Sequence, residues 1–275
     1  MEDLLRPFQF DFFLNGLAVA TLAGALCGMV GVYVVLRGMS YIGHGLSHAI
    51  FGGFAASGLV GVNFFLGAGV WGVASALMIN RISRRRAIGS DAAIGVITTA
   101  SFALGLALIQ LTGASSQNAE AALFGNVLGV SAGDIWVVLA VSAFAAAVIF
   151  FRYQELLFIT FDPEVAAASG VPAGRMDSLL MLVLAVSILA SMNIMGVTLI
   201  AAAIVIPAVV ARMLTDSFAR MLLLATLLGA VSGFAGMIFS YHLNVASGPT
   251  IVLTGAAMFA VVYALTGTRQ AVRTA

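Results

Sequence analysis

Long runs of apolar residues, separated by short polar breaks, fill most of the chain. Each run falls within the range of about 17–25 residues that a helix needs to cross a lipid bilayer. The pattern predicts an all-α, polytopic transmembrane helical bundle of about eight to nine spans, since the break at 193–196 is weak. The runs cover residues 12–36, 41–60, 64–80, 91–112, 134–151, 176–192, 197–214, 218–240 and 249–267.

Composition indicates that lipid is the solvent of this chain. Of the 275 residues, 62% are hydrophobic and 8% are charged, whereas soluble domains have about 25% charged residues. So few charges cannot cover a water-exposed surface. We therefore expect one transmembrane domain over residues 1–275, crossing the cell inner (cytoplasmic) membrane several times. The net charge of +1 provides no basic surface for nucleic acid.

The arginines predict which loops face the cytoplasm, because basic residues favour that side of a membrane. With nine spans, one alternating topology places eleven of the twelve arginines inside, the N-terminus outside and the C-terminus inside. An eight-span count would move some of these assignments. The arginines placed inside are Arg37, Arg81, Arg84, Arg85, Arg86, Arg152, Arg175, Arg212, Arg220, Arg269 and Arg273.

The connection 152–175 is cytoplasmic in this topology and contains signals for a short helix. Asp162 suits an N-cap, Pro163 suits the first helical position, and Gly170 suits a stop. These residues predict a helix over about 163–169, in or near the cytoplasmic surface. An ordinary linker helix is the alternative interpretation.

Two histidines form the clearest candidate for metal chemistry. His44 and His48 are four residues apart, so a helix presents them on the same face. Neutral imidazoles at this spacing can ligate one transition-metal ion. Measured from Arg37, they lie roughly 10 Å and 16 Å into the membrane at 1.5 Å per residue. The alternative is that both hydrogen-bond neighbouring helices and bind nothing.

The remaining polar residues, and the residue types that are missing, disfavour several other classes of protein. His242 lies at the predicted external end of a span, where it could receive metal, contact a delivery protein or simply sit at the interface. No Asp or Glu lies near the centre of a predicted span, which disfavours a proton- or sodium-coupled transporter. Gly45 follows His44, so the H-E-x-x-H motif of metalloproteases is absent. The chain has no lysine and therefore no P-loop for ATP.

Six short motifs then occur in order along nearly the whole chain. They are Arg37-Gly-Met-Ser-Tyr-Ile-Gly-His-Gly-Leu-Ser-His-Ala, Asp91-Ala-Ala-Ile-Gly, Leu123-Phe-Gly-Asn, Asp162-Pro-Glu-Val-Ala-Ala-Ala-Ser-Gly-Val, Met195-Gly-Val-Thr-Leu-Ile-Ala-Ala-Ala-Ile-Val-Ile-Pro-Ala-Val-Val-Ala and Ser247-Gly-Pro-Thr-Ile-Val-Leu. Together they resemble the membrane permease subunits of the zinc/manganese ABC-importer family. Any one motif is weak, but six in order are specific.

The resemblance implies a homodimeric permease with three kinds of partner. These are a second copy of the chain, cytoplasmic ATP-binding subunits that hydrolyse ATP, and an extracytoplasmic metal-binding protein. The chain itself would be a transport subunit without enzymatic activity. The resemblance also implies a coupling helix at about 161–175 that docks into the ATPase. Its matching residues are Asp162, Pro163, Glu164, Ala167 and Gly170.

One position departs from the family pattern. The family usually has Asp where this chain has His44, paired with the residue that matches His48. Imidazoles without a carboxylate suit zinc better than manganese, which prefers oxygen ligands. We therefore predict a transported divalent metal, zinc, bound by His44 and His48, and no permanently bound cofactor. A manganese, iron or metal-chelate importer of the same architecture and an ATP-independent secondary transporter are the alternatives.

Overall fold

The computed structural model describes residues 6–83, 90–112, 123–125 and 129–274. Of the residues discussed above, Arg84, Arg85, Arg86 and Asn126 lie outside these ranges. Regular structure in the described ranges is helical, beginning with a 3₁₀ turn at Arg6–Gln9. The α-helices are α1 (Asp11–Leu36), α2 (Ser40–Val60), α3 (Phe64–Ser83), α4 (Ser90–Thr112), α5 (Ala132–Phe151), α6 (Tyr153–Phe161), α7 (Pro163–Ala168), α8 (Ala173–Met195), α9 (Ile200–Leu214), α10 (Phe218–Leu243) and α11 (Ser247–Thr274).

The all-helical prediction is confirmed, but the predicted count of eight to nine spans is not. Seven helices of the described chain are long and apolar enough to cross a membrane: α1, α3, α4, α5, α8, α10 and α11. The 21-residue α2, which carries two histidines and several glycines, is not among these seven. The 15 residues of α9 reach about 22 Å, less than the roughly 30 Å of a bilayer core.

Close helix packing at small residues places α1 in the centre of the bundle. α1 packs against α5, α8, α9 and α10. A methyl group added at Gly24 would overlap the carbonyl oxygen of Gly229, and one added at Gly28 would overlap that of Ala225. The backbones of α1 and α10 therefore touch, as expected for small residues at helix interfaces in membranes.

The weak break in the apolar pattern near residue 196 is a tight turn between α8 and α9. Gly196 has φ +76°, and a methyl group there would collide with the backbone of residues 123–125. Thr198 donates both its backbone N–H and its hydroxyl to the carbonyl oxygen of Leu123, at 3.2 and 2.7 Å. The turn is thus packed against a distant segment of the chain.

One end of the bundle brings together the ends of α1 and α3 and the start of α8. Arg37 follows α1, and its Nη2 lies 2.6 Å from Oδ1 of Asp177 in the first turns of α8. Asn80, next to Arg81, donates to the hydroxyl of Ser178 at 3.0 Å. We call this end of the bundle, which contains Arg37 and Arg81, the arginine end. The positive-inside rule predicts that it faces the cytoplasm.

The opposite end joins the starts of α1 and α5 to the ends of α8 and α10. The Tyr241 ring lies 5.4 Å from the Phe13 ring, edge to face. Asp134 accepts hydrogen bonds from Ser131 at the N-cap of α5 and, at 3.3 Å, from the side-chain amide of Asn193 on α8. Asp134 therefore caps α5, whereas Asp177 forms an ion pair with Arg37.

The connection 152–175 contains two helices where one was predicted. The short helix predicted at 163–169 is confirmed as α7, Pro163–Ala168. The range of about 161–175 given to the coupling helix also includes the end of α6 and the start of α8, and its coupling role stays a prediction. The missed helix, α6, is only 9 residues long. It buries Leu156 and Ile159 against the bundle, which is a tertiary contact that its short sequence does not reveal.

Candidate metal centre

The two histidines of α2 face each other across one helical turn. The Nε2 atoms of His44 and His48 are 3.2 Å apart, and the ring centroids are 4.4 Å apart at an interplanar angle of 80°. Two neutral imidazoles form a hydrogen bond at this contact when one Nε2 carries a proton and donates it to the other Nε2. Nδ1 of His48 is buried without a hydrogen-bond partner among the described residues. No second hydrogen bond therefore fixes the tautomer of that ring.

The separation of these nitrogen atoms fits two ligands of one metal ion. Imidazole nitrogens lie about 2.0–2.1 Å from zinc, so two of them at a tetrahedral angle are about 3.3 Å apart. At the right angles of an octahedral site the same bond lengths give about 2.9 Å. The observed 3.2 Å lies between these values. The pair can therefore hold a metal after one proton moves, and its spacing does not select a geometry.

Neighbouring helices hold the pair in place and leave it partly open. The ring of His48 lies edge-on to Phe102 of α4, with centroids 4.5 Å apart. A methyl group at Gly45 would overlap the side chains of Ile94 and Thr98, so α2 and α4 approach closely there. Both histidines are half-buried. Part of each ring therefore faces outwards from this chain.

This chain provides an incomplete ligand set. Within the described ranges no group of three or more His, Cys, Asp or Glu residues is close enough to hold a metal ion. Zinc generally takes four ligands, and harder cations take about six. Further ligands for an ion at His44 and His48 would therefore come from water or from another chain.

His242 is not part of this pair. It lies in the last turn of α10 and is exposed, with its ring 5.5 Å from that of Tyr241. Tyr241 in turn contacts Phe13 near the start of α1. His242 therefore lies at the end of the bundle opposite the arginine end. Its predicted role at an outer mouth remains a prediction.

The predicted coupling residues form one exposed surface around α7. Asp162 caps this helix, because its Oδ1 accepts a hydrogen bond from the backbone N–H of Val165 at 2.9 Å. Gly170, with φ +85°, follows the end of the helix. Asp162, Pro163, Glu164, Ala167 and Gly170 are all exposed. Sequence reasoning missed Ala166, the fully buried residue that anchors α7 to the bundle.

The seven helices long and apolar enough to cross a membrane, with a histidine pair on α2 between them, define a multi-pass membrane protein. The sequence profile of the ABC 3 transport family matches residues 9–266. The chain belongs to this family and is the cell-membrane permease of a metal ABC importer.

Three relatives illustrate this relationship. The manganese transport system membrane protein MntC of Halalkalibacterium halodurans is 38% identical over 93% of this chain and 87% of its own length. A protein of Haemophilus influenzae described as an iron transport system membrane protein is 32% identical, over 95% and 96%. The structure of PsaBC from Streptococcus pneumoniae in complex with Fab has a TM-score of 0.86 and 35% identity, covering 95% of both chains. The predicted family is confirmed, but the predicted zinc preference is not.

Proposed function

We propose that two copies of this chain form a pathway for a divalent first-row transition metal, and that manganese or iron is the favoured cargo. The names of the relatives support this choice of metal. The observation that carries the proposed pathway is the 3.2 Å separation of Nε2 in His44 and Nε2 in His48. Nitrogen is a ligand that first-row transition metals accept.

The incomplete ligand set supports a second copy as the partner. Closed twofold symmetry is the commonest arrangement of oligomers, and it brings the same surface of both subunits together. The outward-facing parts of His44 and His48, with the exposed Tyr41 beside them, would then meet their own symmetry mates. Four imidazoles would surround one ion. None carries a negative charge, so binding is weak enough for the ion to leave, as conduction requires.

The two ends of the bundle fit different partners. The exposed surface around α7 lies at the arginine end. It includes the apolar side chains of Phe161, the last residue of α6, and Val165 of α7, which are 64% and 48% exposed. A cytoplasmic ATP-binding subunit would cover this surface. It would also hydrolyse the ATP, because this chain lacks the lysine of a P-loop. An extracytoplasmic binding protein would deliver the metal at the opposite end.

Zinc is the second candidate cargo, and one feature of the site favours it. The two donor atoms of this chain are imidazole nitrogens, where the family usually has a carboxylate at the position of His44. Manganese prefers oxygen ligands, while imidazole suits zinc, iron and copper. The names of the relatives and the donor set therefore point to different metals.

Substituting His44→Asp tests both the pathway and the cargo. The assay is ATP-dependent uptake of radiolabelled manganese, iron and zinc into proteoliposomes that contain the permease, its ATPase and its binding protein. Because aspartate supplies a charged oxygen ligand, we expect the manganese-to-zinc uptake ratio to rise about tenfold, equivalent to ~1.4 kcal/mol. His44→Asn is the matched control, since it removes the imidazole without adding charge.

The same experiment can contradict the proposal in three ways. Uptake of similar size without ATP would show that the chain is not driven by an ATPase. An unchanged metal ratio in His44→Asp would place residue 44 outside the pathway. Faster uptake of zinc than of manganese and iron by the parent protein would show that zinc, the second candidate, is the cargo.

A further inference from the structure

Resting on the proposed function, we propose that Arg37 and Asp177 are positioning residues that couple the ATPase-docking helix α7 to the histidine pair. Neither residue touches the proposed metal. Each instead belongs to a continuous set of contacts that leads from α7, through the start of α8, to the start of α2. The contacts are described below in that order.

The first link joins α7 to α8. Ala166 belongs to a buried cluster that also contains Met176 of α8 and Tyr33 of α1. The backbone N–H of Val171 donates to the carbonyl oxygen of Ala166 at 3.0 Å. Only residues 169–172 separate the two helices. A displacement of α7 by the ATPase would therefore reach the first turn of α8 directly.

The second link joins α8 to the end of α1. Asp177 follows Met176 and forms the ion pair with Arg37, in which both side chains are only 14% exposed. Removing one partner of a largely buried pair is costly, because the remaining charge is left without compensation. The backbone N–H of Arg37 also donates to the carbonyl oxygen of Tyr33, in the same buried cluster. The start of α8 and the end of α1 are therefore expected to move together.

The third link joins Arg37 to the histidines. Gly38, with φ +64°, makes a tight turn, and the backbone N–H of Met39 donates to the carbonyl oxygen of Val34 at 2.9 Å. α2 begins at the next residue and carries His44 in its second turn. A movement of Arg37 is thus transmitted to His44 through a short, hydrogen-bonded turn.

The charges of the Arg37–Asp177 ion pair and the unpaired Nη1 of Arg37 suit a contact that differs between two states of the transporter. A cation leaving the histidines towards the arginine end would approach Arg37, roughly 10 Å away along the helix axis. Asp177 offsets that positive charge while the ion pair is formed. Nη1 of Arg37 is buried and has no hydrogen-bond partner in the described part of the chain. This donor is available for a different partner in a second state of the transporter.

The test separates coupling from folding and from metal binding. In proteoliposomes with the ATPase and the binding protein, we would measure metal uptake, ATP hydrolysis and manganese binding for Arg37→Gln, Asp177→Asn and the exchange Arg37→Asp with Asp177→Arg. The matched control is Arg212→Gln, which breaks an exposed pair with Asp216 in which the side chains are 48% and 100% exposed. Such surface pairs contribute little.

We expect both single variants to bind manganese and hydrolyse ATP, while uptake per ATP falls at least about fivefold, the lower range of allosteric coupling. The charge exchange should restore most of the uptake, and Arg212→Gln should match the parent. Unchanged uptake per ATP in both single variants would overturn the inference. If a single variant does not assemble, the charge-exchange variant provides the test. An exchange variant that assembles but has low uptake per ATP also overturns the inference.

His48→Ala in the same assay distinguishes this inference from the proposed function. Loss of uptake in His48→Ala with normal coupling in Arg37→Gln overturns the coupling role alone. Full uptake in His48→Ala instead overturns the proposed metal pathway.

Discussion

Replacing His48 by alanine is expected to lower ATP-driven metal uptake about 100-fold, while the permease still assembles. His48 supplies one of the two imidazoles of the pair, and even residues that only orient metal ligands are worth 10–100-fold in affinity. The half-buried ring contacts Phe102 and His44, so its removal leaves a modest gap in the packing. The measurement is initial uptake rate in proteoliposomes at equal amounts of assembled permease.

His242→Ala provides the comparison for this variant. It removes the same side chain from an exposed site at the opposite end of the bundle, so we expect it to keep far more uptake than His48→Ala. Equal uptake by His48→Ala and the parent protein would contradict the pathway through α2. Retained uptake in His48→Ala with loss of uptake in His242→Ala would show that the essential imidazole is that of His242, at the end opposite the arginine end.

Gly229→Ala is expected to destabilise the permease by about 1–3 kcal/mol, the usual cost of overpacking a close contact. A methyl group at Gly229 would overlap the backbone of Gly24, which cannot move without separating α1 from α10. Gly95→Ala is the matched control, because its new methyl group would meet no atom within 4 Å. That change should be neutral or stabilise α4 by about 0.5–1 kcal/mol, since alanine favours helices.

Thermal unfolding of the purified permease in detergent measures this difference. We expect a lower midpoint for Gly229→Ala than for the parent and an equal or higher midpoint for Gly95→Ala. The same shift in both variants would show that glycine content in general, rather than the contact of α1 with α10, determines stability. That result would contradict the packing described for the centre of the bundle.

Local sequence patterns predicted the helices and the short helix α7 well. Apolar runs of span length have few alternatives to helix in a bilayer, because every backbone polar group must be satisfied within the segment. At α7, the N-cap Asp162 and the Pro163 that follows specify the helix start, and the structure has that start. These signals depend on neighbouring residues and can be read without knowing the fold.

Contacts between distant residues could not be predicted in this way. Arg37 and Asp177 are 140 positions apart, and no local pattern pairs them. Taken alone, Arg37 indicates only the cytoplasmic end of a span, and Asp177 is only an acidic residue near the start of an apolar run. The same reason explains why the helix α6 and the packing of Gly196 on the 123–125 segment were not foreseen. Both depend on what the rest of the chain places beside them.

The choice of metal illustrates a further limit of sequence reasoning. The replacement of a usual carboxylate by His44 predicts a softer site, and chemical preference then favours zinc. The two relatives described above, which match 93% and 95% of the chain, are named for manganese or iron instead. In the proposed importer, ligands from a second copy, bound water and the delivery protein would also contribute to selectivity, and none of these is encoded in the two imidazoles alone.

Pulsed electron paramagnetic resonance of Mn²⁺ bound to the assembled permease tests the central claim most directly. The method detects nitrogen nuclei that coordinate the metal and does not depend on which metal is transported. We predict imidazole nitrogen coupling in the parent protein and its loss in the double variant His44→Ala/His48→Ala. The same nitrogen coupling in the double variant, or bound manganese without any nitrogen coupling in the parent, would contradict a metal pathway lined by this pair.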